Sequence, residues 1–282
     1  MTEGAPNNAD RALTLRDLSK MAARGERFAC LTCYDATTAR WLARGGVHLL
    51  LVGDTAAETV LGFERTIDMP LDFSITLTAG VKRGAPGCVV MGDMPFMSYH
   101  ADHDDAIRNA GRYLTEGLAD IVKLEVDGTF APLITRMTAA GIPVCGHIGA
   151  KPQHTMLHSG YRSAGRRSNE ADMLLDDARR LEDAGAVMLL IEATPDEVAE
   201  RVVEAVGVPV IGIGAGVAPH GQVLVMQDLM GMSDWTPRFA SPITNLGEQI
   251  RDAAARWTAT VRDGQVGGGW YRSLGPDSPD AK

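Results

Sequence analysis

The feature that most constrains this chain is an eightfold alternation. Short apolar runs recur at 28–35 (FACLTCYD), 48–54 (HLLLVGD), 88–96 (CVVMGDMPF), 120–126 (DIVKLEV), 143–149 (PVCGHIG), 186–192 (AVMLLIE), 209–216 (PVIGIGAG) and 222–228 (QVLVMQD). Nearly continuous apolar character over so short a stretch marks a strand buried on both faces. Between the runs lie segments with apolar residues three and four apart, among them 104–119, 170–186 and 195–206. The last two open on acidic residues, which suits the positive end of a helix dipole. EGLADIV, AAGIPV, DAGAVM and AVGVPV each place a Gly before the next run, as a left-handed helix cap would.

Strands alternating with helices build a parallel sheet. Eight units within roughly 210 residues favour a closed (β/α)₈ TIM barrel, an α/β fold, over an open doubly wound sheet. The open sheet would need a dinucleotide or phosphate fingerprint after the first strand, and YDATTARW carries none. The 282 residues (1–282) are read as a single barrel domain with loose ends at about 1–10 and 265–282. The tail GGGWYRSLGPDSPDAK lacks periodicity and is expected to be disordered or docked on a partner.

Charge and composition narrow the partners. A net charge of −9 with no basic patch argues against nucleic acid. No apolar run reaches the ~20 residues of a membrane span, and Met1 to Asp10 lacks a signal-peptide core. The expected setting is cytoplasmic, without a membrane partner. Cys30 and Cys33 form a C-x-x-C with no second Cys pair or paired His at zinc spacing. Alternation along a strand would point them to opposite faces. All four cysteines, with Cys88 and Cys145, therefore read as buried structural thiols.

The runs end in polar groups: Tyr34-Asp35, Asp54-Thr55, Asp93, then Lys123 and Glu125 within run four, His147, and Glu192. A barrel of this type carries its active site at the C-terminal ends of the strands. One acidic strand end is often only a helix cap; six polar ends together are hard to explain by capping. Lys123 and Glu125 lie two apart and so share a face, either as site residues or as a structural ion pair. Asp54 and Asp93 as pocket neighbours would repel unless a cation lay between them, and oxygen ligands suit Mg²⁺. His147 reads more readily as a core or supporting group than as a ligand. Glu192 closes a strongly apolar run, the setting that makes a carboxylate a usable general base near neutral pH. Its competing role is cap of the next helix, for which Thr194-Pro195 is the better sequence. GIGAG (212–216) lacks the remainder of either phosphate-binding motif and reads as tight backbone at the mouth. HTMLHSGYRSAGRR (154–167) reads as a basic loop over the mouth rather than a metal site at His154 and His158.

At these residues the chain resembles the ketopantoate (3-methyl-2-oxobutanoate) hydroxymethyltransferase family from about Leu15 to Asp228. The motifs that carry the likeness are TCYD (32–35), LVGDT (51–55), KRGAP (82–86), GDMPFMSY (92–99), VKLE (122–125), PVCGHIG (143–149), IE (191–192) and VPVIGIGAG (208–216). The resemblance implies a barrel of the phosphoenolpyruvate mutase/isocitrate lyase type. It implies transfer of a one-carbon unit from 5,10-methylenetetrahydrofolate to 3-methyl-2-oxobutanoate, in pantothenate biosynthesis. It also implies Mg²⁺ on Asp54 and Asp93, with Glu125 reaching the metal through water, and Thr55 beside it. By the same likeness Lys123 pairs with the substrate carboxylate, Glu192 removes the C3 proton, and His147 neighbours the substrate. The family further implies a homo-oligomer, a decamer. The sequence departs from the family pattern at Thr55 (commonly Ser), Thr76-Leu77 (commonly Tyr-His), His220 (commonly Asp) and the C-terminal ending. The alternative is a related Mg²⁺-dependent lyase or aldolase acting on another 2-oxoacid. The absence of any Cys between 146 and 282 disfavours lyase chemistry that uses a loop cysteine.

Overall fold

The computed structural model describes residues 11–158, 160 and 162–268. The loose ends expected at 1–10 and over 269–282 lie outside the described residues. Among the described residues two compact units emerge: 11–226 with Pro237–Ala240, and Gln227–Thr236 with 241–268. The second unit contains the amphipathic helix Leu246–Arg262, which has no buried residue.

The first unit contains the expected alternation. Its strands are β1 (Phe28–Thr32), β2 (Leu49–Val52), β3 (Val89–Asp93), β4 (Ile121–Glu125), β5 (Val144–Gly149), β6 (Met188–Glu192), β7 (Val210–Ile213) and β8 (Gly221–Leu224). All neighbours pair in parallel, and β8 returns to β1, closing the barrel in sequence order. Run eight is shorter as a strand than its apolar stretch suggests, because Met226–Leu229 turns into a helix.

Two apolar layers follow from period-two alternation. Phe28, Cys30, Leu49, Leu51, Val89, Met91, Ile121, Cys145, Met188, Leu190, Ile211 and Val223 form one cluster filling the barrel interior. The alternate residues, among them Val122, Leu124, Val144, Ile148, Leu189 and Ile191, pack outward against the helices. Each fully buried Leu, Ile or Met stabilises the fold by roughly 1.5–3 kcal/mol. All four cysteines are free and buried, with Cys30 and Cys145 in the interior layer.

The helices His103–Thr115, Ser168–Asp183 and Asp196–Ala205 occupy the segments expected to be helical. The Gly caps are only half as expected. Gly141 and Gly185 take φ of 84° and 99°, but in EGLADIV the left-handed residue is Leu118 (φ 57°). Gly117 is needed for another reason: a Cβ there would lie 2.6 Å from the Tyr113 carbonyl oxygen. Gly207 has no positive φ. No helix among the described residues is long and apolar enough to cross a membrane.

Candidate active site

The interior rows of four strands change from apolar to ionisable near their C-terminal ends. Met91 is followed two residues on by Asp93, Ile121 by Lys123 and then Glu125, Cys145 by His147, and Leu190 by Glu192. Because side chains alternate, these groups all point inward above the apolar plug. Register completes the arrangement: Asp93 lies beside Lys123, and Glu125 beside His147. The turn after β2 adds Asp54 and Thr55. All seven residues picked from the sequence line one cavity of about 70 Å³, closed by Leu51, Pro152, Leu190, Ile213 and Val223.

The groups in it are nearly dry: Asp54, Asp93, Lys123, Glu125, His147 and Glu192 are all buried. Lys123 Nζ lies 2.8 Å from Asp93 Oδ1 and 3.2 Å from His147 Nδ1. The Asp54 N–H donates to Asp93 Oδ2 at 3.1 Å. Burial raises the pKa of Asp93; Lys123 opposes this and the Asp54 charge adds to it. Burial likewise lifts Glu125 well above the ordinary carboxyl range, against the pull of Lys123. Burial works against the Lys123 ammonium, but Asp93, Glu125 and Asp54 outweigh it and raise Lys123 above an ordinary lysine. Burial, and then Lys123, hold His147 far below its usual value, so it is neutral. An ammonium only donates, so His147 Nδ1 accepts and its proton sits on Nε2. That nitrogen faces Glu192 Oε2 at 3.3 Å.

Four carboxyl groups and one ammonium in one enclosure make a cation-seeking site. Glu125 Oε1 is buried without a hydrogen bond, and the donors are hard oxygens. These features fit Mg²⁺, which takes one or two carboxylates and fills its remaining positions with water or substrate oxygens. Among the described residues no three His, Cys, Asp or Glu side chains cluster closely enough to hold a metal. Two carboxylates, Asp54 and Asp93, with water in the remaining positions would suit such an ion.

Some polar strand ends serve structure instead. Asp35 caps the helix Ala36–Arg44 through the N–H groups of Thr37 and Thr38. Thr194 does not cap the next helix, whose N-cap is Pro195; its hydroxyl donates to the Glu192 carbonyl at 3.0 Å. Between them Ala193 is held at φ 46°, a strained conformation for a non-glycine residue. GIGAG is tight backbone, with positive φ at Gly214 and Gly216. The expected basic loop begins in ordered turns, Pro152–His154 and Thr155–His158.

The structure adds supporting contacts, from Tyr34 and from three residues that the sequence reading did not single out, Tyr99, Tyr113 and Gln153. Tyr34 is buried with its hydroxyl 2.5 Å from Thr55 Oγ1. The Tyr113 hydroxyl donates to the Asp93 carbonyl at 2.6 Å. Tyr99 and Gln153 form a buried pair at 2.8 Å beneath Glu125 and Asp54. Nothing in apolar periodicity marks such residues; only the meeting of distant loops does.

A larger cavity, about 520 Å³, is lined by Asp127, Lys151, His154, Arg162 and Asp177, and none of the seven residues borders it. Its size does not make it the reaction site. Its central charges are already matched: Lys151 with Asp127 at 2.9 Å and Asp177 with the Gly128 N–H at 2.8 Å.

Comparison with known proteins decides the family. The family model described as ketopantoate hydroxymethyltransferase matches residues 12–267. The chain belongs to that family. It is a hydroxymethyltransferase. It is 42% identical over 254 residues to the 3-methyl-2-oxobutanoate hydroxymethyltransferase of Thermobifida fusca (strain YX), covering 90% of this chain and 91% of the relative. The protein of the same name from Rhodococcus jostii (strain RHA1) is 43% identical over 248 residues, 88% and 86% of the two chains. Among solved structures, phosphoenolpyruvate phosphomutase from Streptomyces platensis subsp. rosaceus aligns with TM-score 0.61 at 14% identity, over 89% of this chain and 88% of that one. A 2,3-dimethylmalate lyase, a PEP mutase/isocitrate lyase superfamily member, gives TM-score 0.58 at 17% identity over 93% and 92%. These likenesses show the fold alone, a (β/α)₈ barrel shared with those proteins.

Against this ketopantoate hydroxymethyltransferase background the departures fall mostly outside the chamber. Thr76 is exposed on the helix Leu71–Gly84 and bonds the Asp72 carbonyl. His220 precedes β8 at the opposite end of the barrel, where its Nδ1 accepts from the Val210 N–H at 3.1 Å. Only Thr55 borders the site, and its hydroxyl keeps a partner in Tyr34.

Proposed function

We propose that the enzyme adds a hydroxymethyl group to 3-methyl-2-oxobutanoate, giving ketopantoate, with 5,10-methylenetetrahydrofolate as donor. The observation that carries this reading is one buried ammonium, Lys123, and one inward carboxylate, Glu192, on opposite sides of His147 in a single chamber. Asp54 and Asp93 would hold Mg²⁺, with Glu125 joining through water. When bound, the ion would supply Lewis-acid stabilisation of the charge that develops on the keto oxygen.

Lys123 pairs with the substrate carboxylate. Glu192 removes the C3 proton, and the C–H electron pair passes into the enolate. His147, neutral with Nε2–H toward Glu192, orients that carboxylate. The enolate carbon then bonds the donor's methylene carbon. Both carbon–nitrogen bonds that hold that carbon to folate break, water supplies the hydroxyl group, and the two folate nitrogens take up the C3 proton held on Glu192 and the second proton of the water. Burial of the chamber excludes bulk water, which strengthens each of these charge interactions.

The reading also takes in a single functional domain, since the family match runs through both units. A cytoplasmic setting and a homo-oligomer, a decamer, belong to the same proposal, and light scattering on the purified protein measures the mass. The deciding test follows the C3 signal by NMR in D₂O with Mg²⁺, with and without the folate donor. Deuterium at C3, and ketopantoate only with donor, both lost in Glu192→Gln, support the proposal. Exchange without ketopantoate moves the chemistry to another 2-oxoacid reaction of the lyase or aldolase kind.

A further inference from the structure

Gln153 is a buried neutral residue with an unusual set of contacts. It sits four residues beyond β5 and is 3% exposed. Its backbone N–H donates to Glu125 Oε2 at 2.9 Å. Its side-chain nitrogen donates to Asp54 Oδ2 at 3.0 Å and to the Met94 carbonyl at 3.1 Å. Its side-chain oxygen lies 2.8 Å from the Tyr99 hydroxyl. One residue of the β5 loop thus grips carboxylates that arise from β2 and β4.

The amide orientation is fixed by chemistry. Asp54 Oδ2 and the Met94 carbonyl can only accept, so the NH₂ group must face them and the oxygen must face Tyr99. Tyr99 holds that oxygen and is itself anchored, accepting the Glu125 N–H at 3.0 Å. Every donor and acceptor of the Gln153 amide is therefore used. The grip also selects which carboxylate oxygens remain available. Asp54 Oδ2 and Glu125 Oε2 are bound from behind, and Glu125 Oε1 is left without a hydrogen bond. A Lys in this place would add a charge that competes with a cation, and a Glu would repel Asp54; Gln supplies donors and no charge.

We infer that Gln153 is a positioning residue that fixes Asp54 and Glu125 in the orientation a divalent cation requires, and so sets the cation affinity of the chamber. The inference rests on the proposed metal role of Asp54 and Asp93. Groups that stand behind metal ligands typically contribute about 10- to 100-fold in affinity.

The test is calorimetric titration of Mg²⁺ and electron paramagnetic resonance titration of Mn²⁺ into chelator-stripped full chain, without substrate. Wild type is compared with Gln153→Met, Gln153→Glu, Tyr99→Phe and Asp54→Asn. Circular dichroism checks folding. The expected result is a Kd raised about 10- to 100-fold in Gln153→Met. Gln153→Glu should weaken binding by a comparable factor, and Tyr99→Phe, acting through the amide orientation, by less. In kinetics the apparent KM for Mg²⁺ should rise while kcat at saturating Mg²⁺ changes little, a split that general loosening of the fold does not produce. Folded Gln153 variants with wild-type cation affinity overturn the inference alone. If the wild type binds no cation, or Asp54→Asn binds as the wild type does, the metal reading fails and takes the inference with it. If Gln153→Met does not fold, Tyr99→Phe decides: unchanged affinity there rejects the positioning role.

Discussion

Replacing Lys123 with Met keeps the volume of the side chain and removes the chamber's ammonium. In the wild type that ammonium is 2.8 Å from Asp93 Oδ1, with the two side chains 4% and 2% exposed. Removing one partner of so deeply buried a pair leaves a carboxylate uncompensated and costs about 3–5 kcal/mol. For a domain of this size each kcal/mol shifts Tm by about 2–4 °C, so Lys123→Met should melt about 6–20 °C lower at pH 8 in chelator. The pH dependence has a fixed sign. Burial raises the folded-state pKa of Asp93 and Glu125 above the unfolded values. Between those values the folded chain holds protons that the unfolded chain has shed, so stability falls as pH rises. Without Lys123 the folded values rise further, and acidification toward pH 5.5 should recover much of the loss. Thermal unfolding followed by circular dichroism at the two pH values measures both effects. An unchanged Tm at pH 8, or a deficit that persists undiminished at pH 5.5, would refute the charge argument. The double variant Lys123→Met/Asp93→Asn should regain stability over the single one, because the orphaned charge is gone.

Other consequences are simpler to check. Gly92→Ala would place a Cβ 2.4 Å from the Tyr113 ring, whose hydroxyl holds the Asp93 carbonyl; a loss of about 1–3 kcal/mol is expected by chemical denaturation, with activity reduced as well. His220→Ala removes the acceptor of the Val210 N–H and should cost about 1 kcal/mol with kcat/KM unchanged; a large loss of kcat would show that the far end of the barrel reaches the chemistry. Mg²⁺ at 100 times its Kd should stabilise the wild type by about 2.7 kcal/mol, and Asp54→Asn should lose that gain in the same melting experiment.

Much of this fold could be read from the chain because its signal is local and repeated. Eight doubly buried strands must be apolar through and through, and period-two alternation then dictates that Asp93, Lys123, Glu125, His147 and Glu192 share the interior face with Met91, Ile121, Cys145 and Leu190. Residue type and spacing along single strands brought forward Asp54, Thr55, Asp93, Lys123, Glu125, His147 and Glu192, seven of the polar residues that line the chamber. They were not enough to tell a cap from a site residue, as Asp35 shows, nor to say that Leu118 rather than Gly117 would take the left-handed turn. Those outcomes depend on how closely a neighbouring element approaches. The tertiary structure alone decided that Lys123 stands between Asp93 and His147, that His147 Nε2 faces Glu192, and that Gln153 reaches back to Asp54 and Glu125. Each of these is set by strand register or by a loop packed against residues tens of positions away. Periodicity along the chain reports which face a side chain occupies; only closure of the barrel reports which other side chain it meets there.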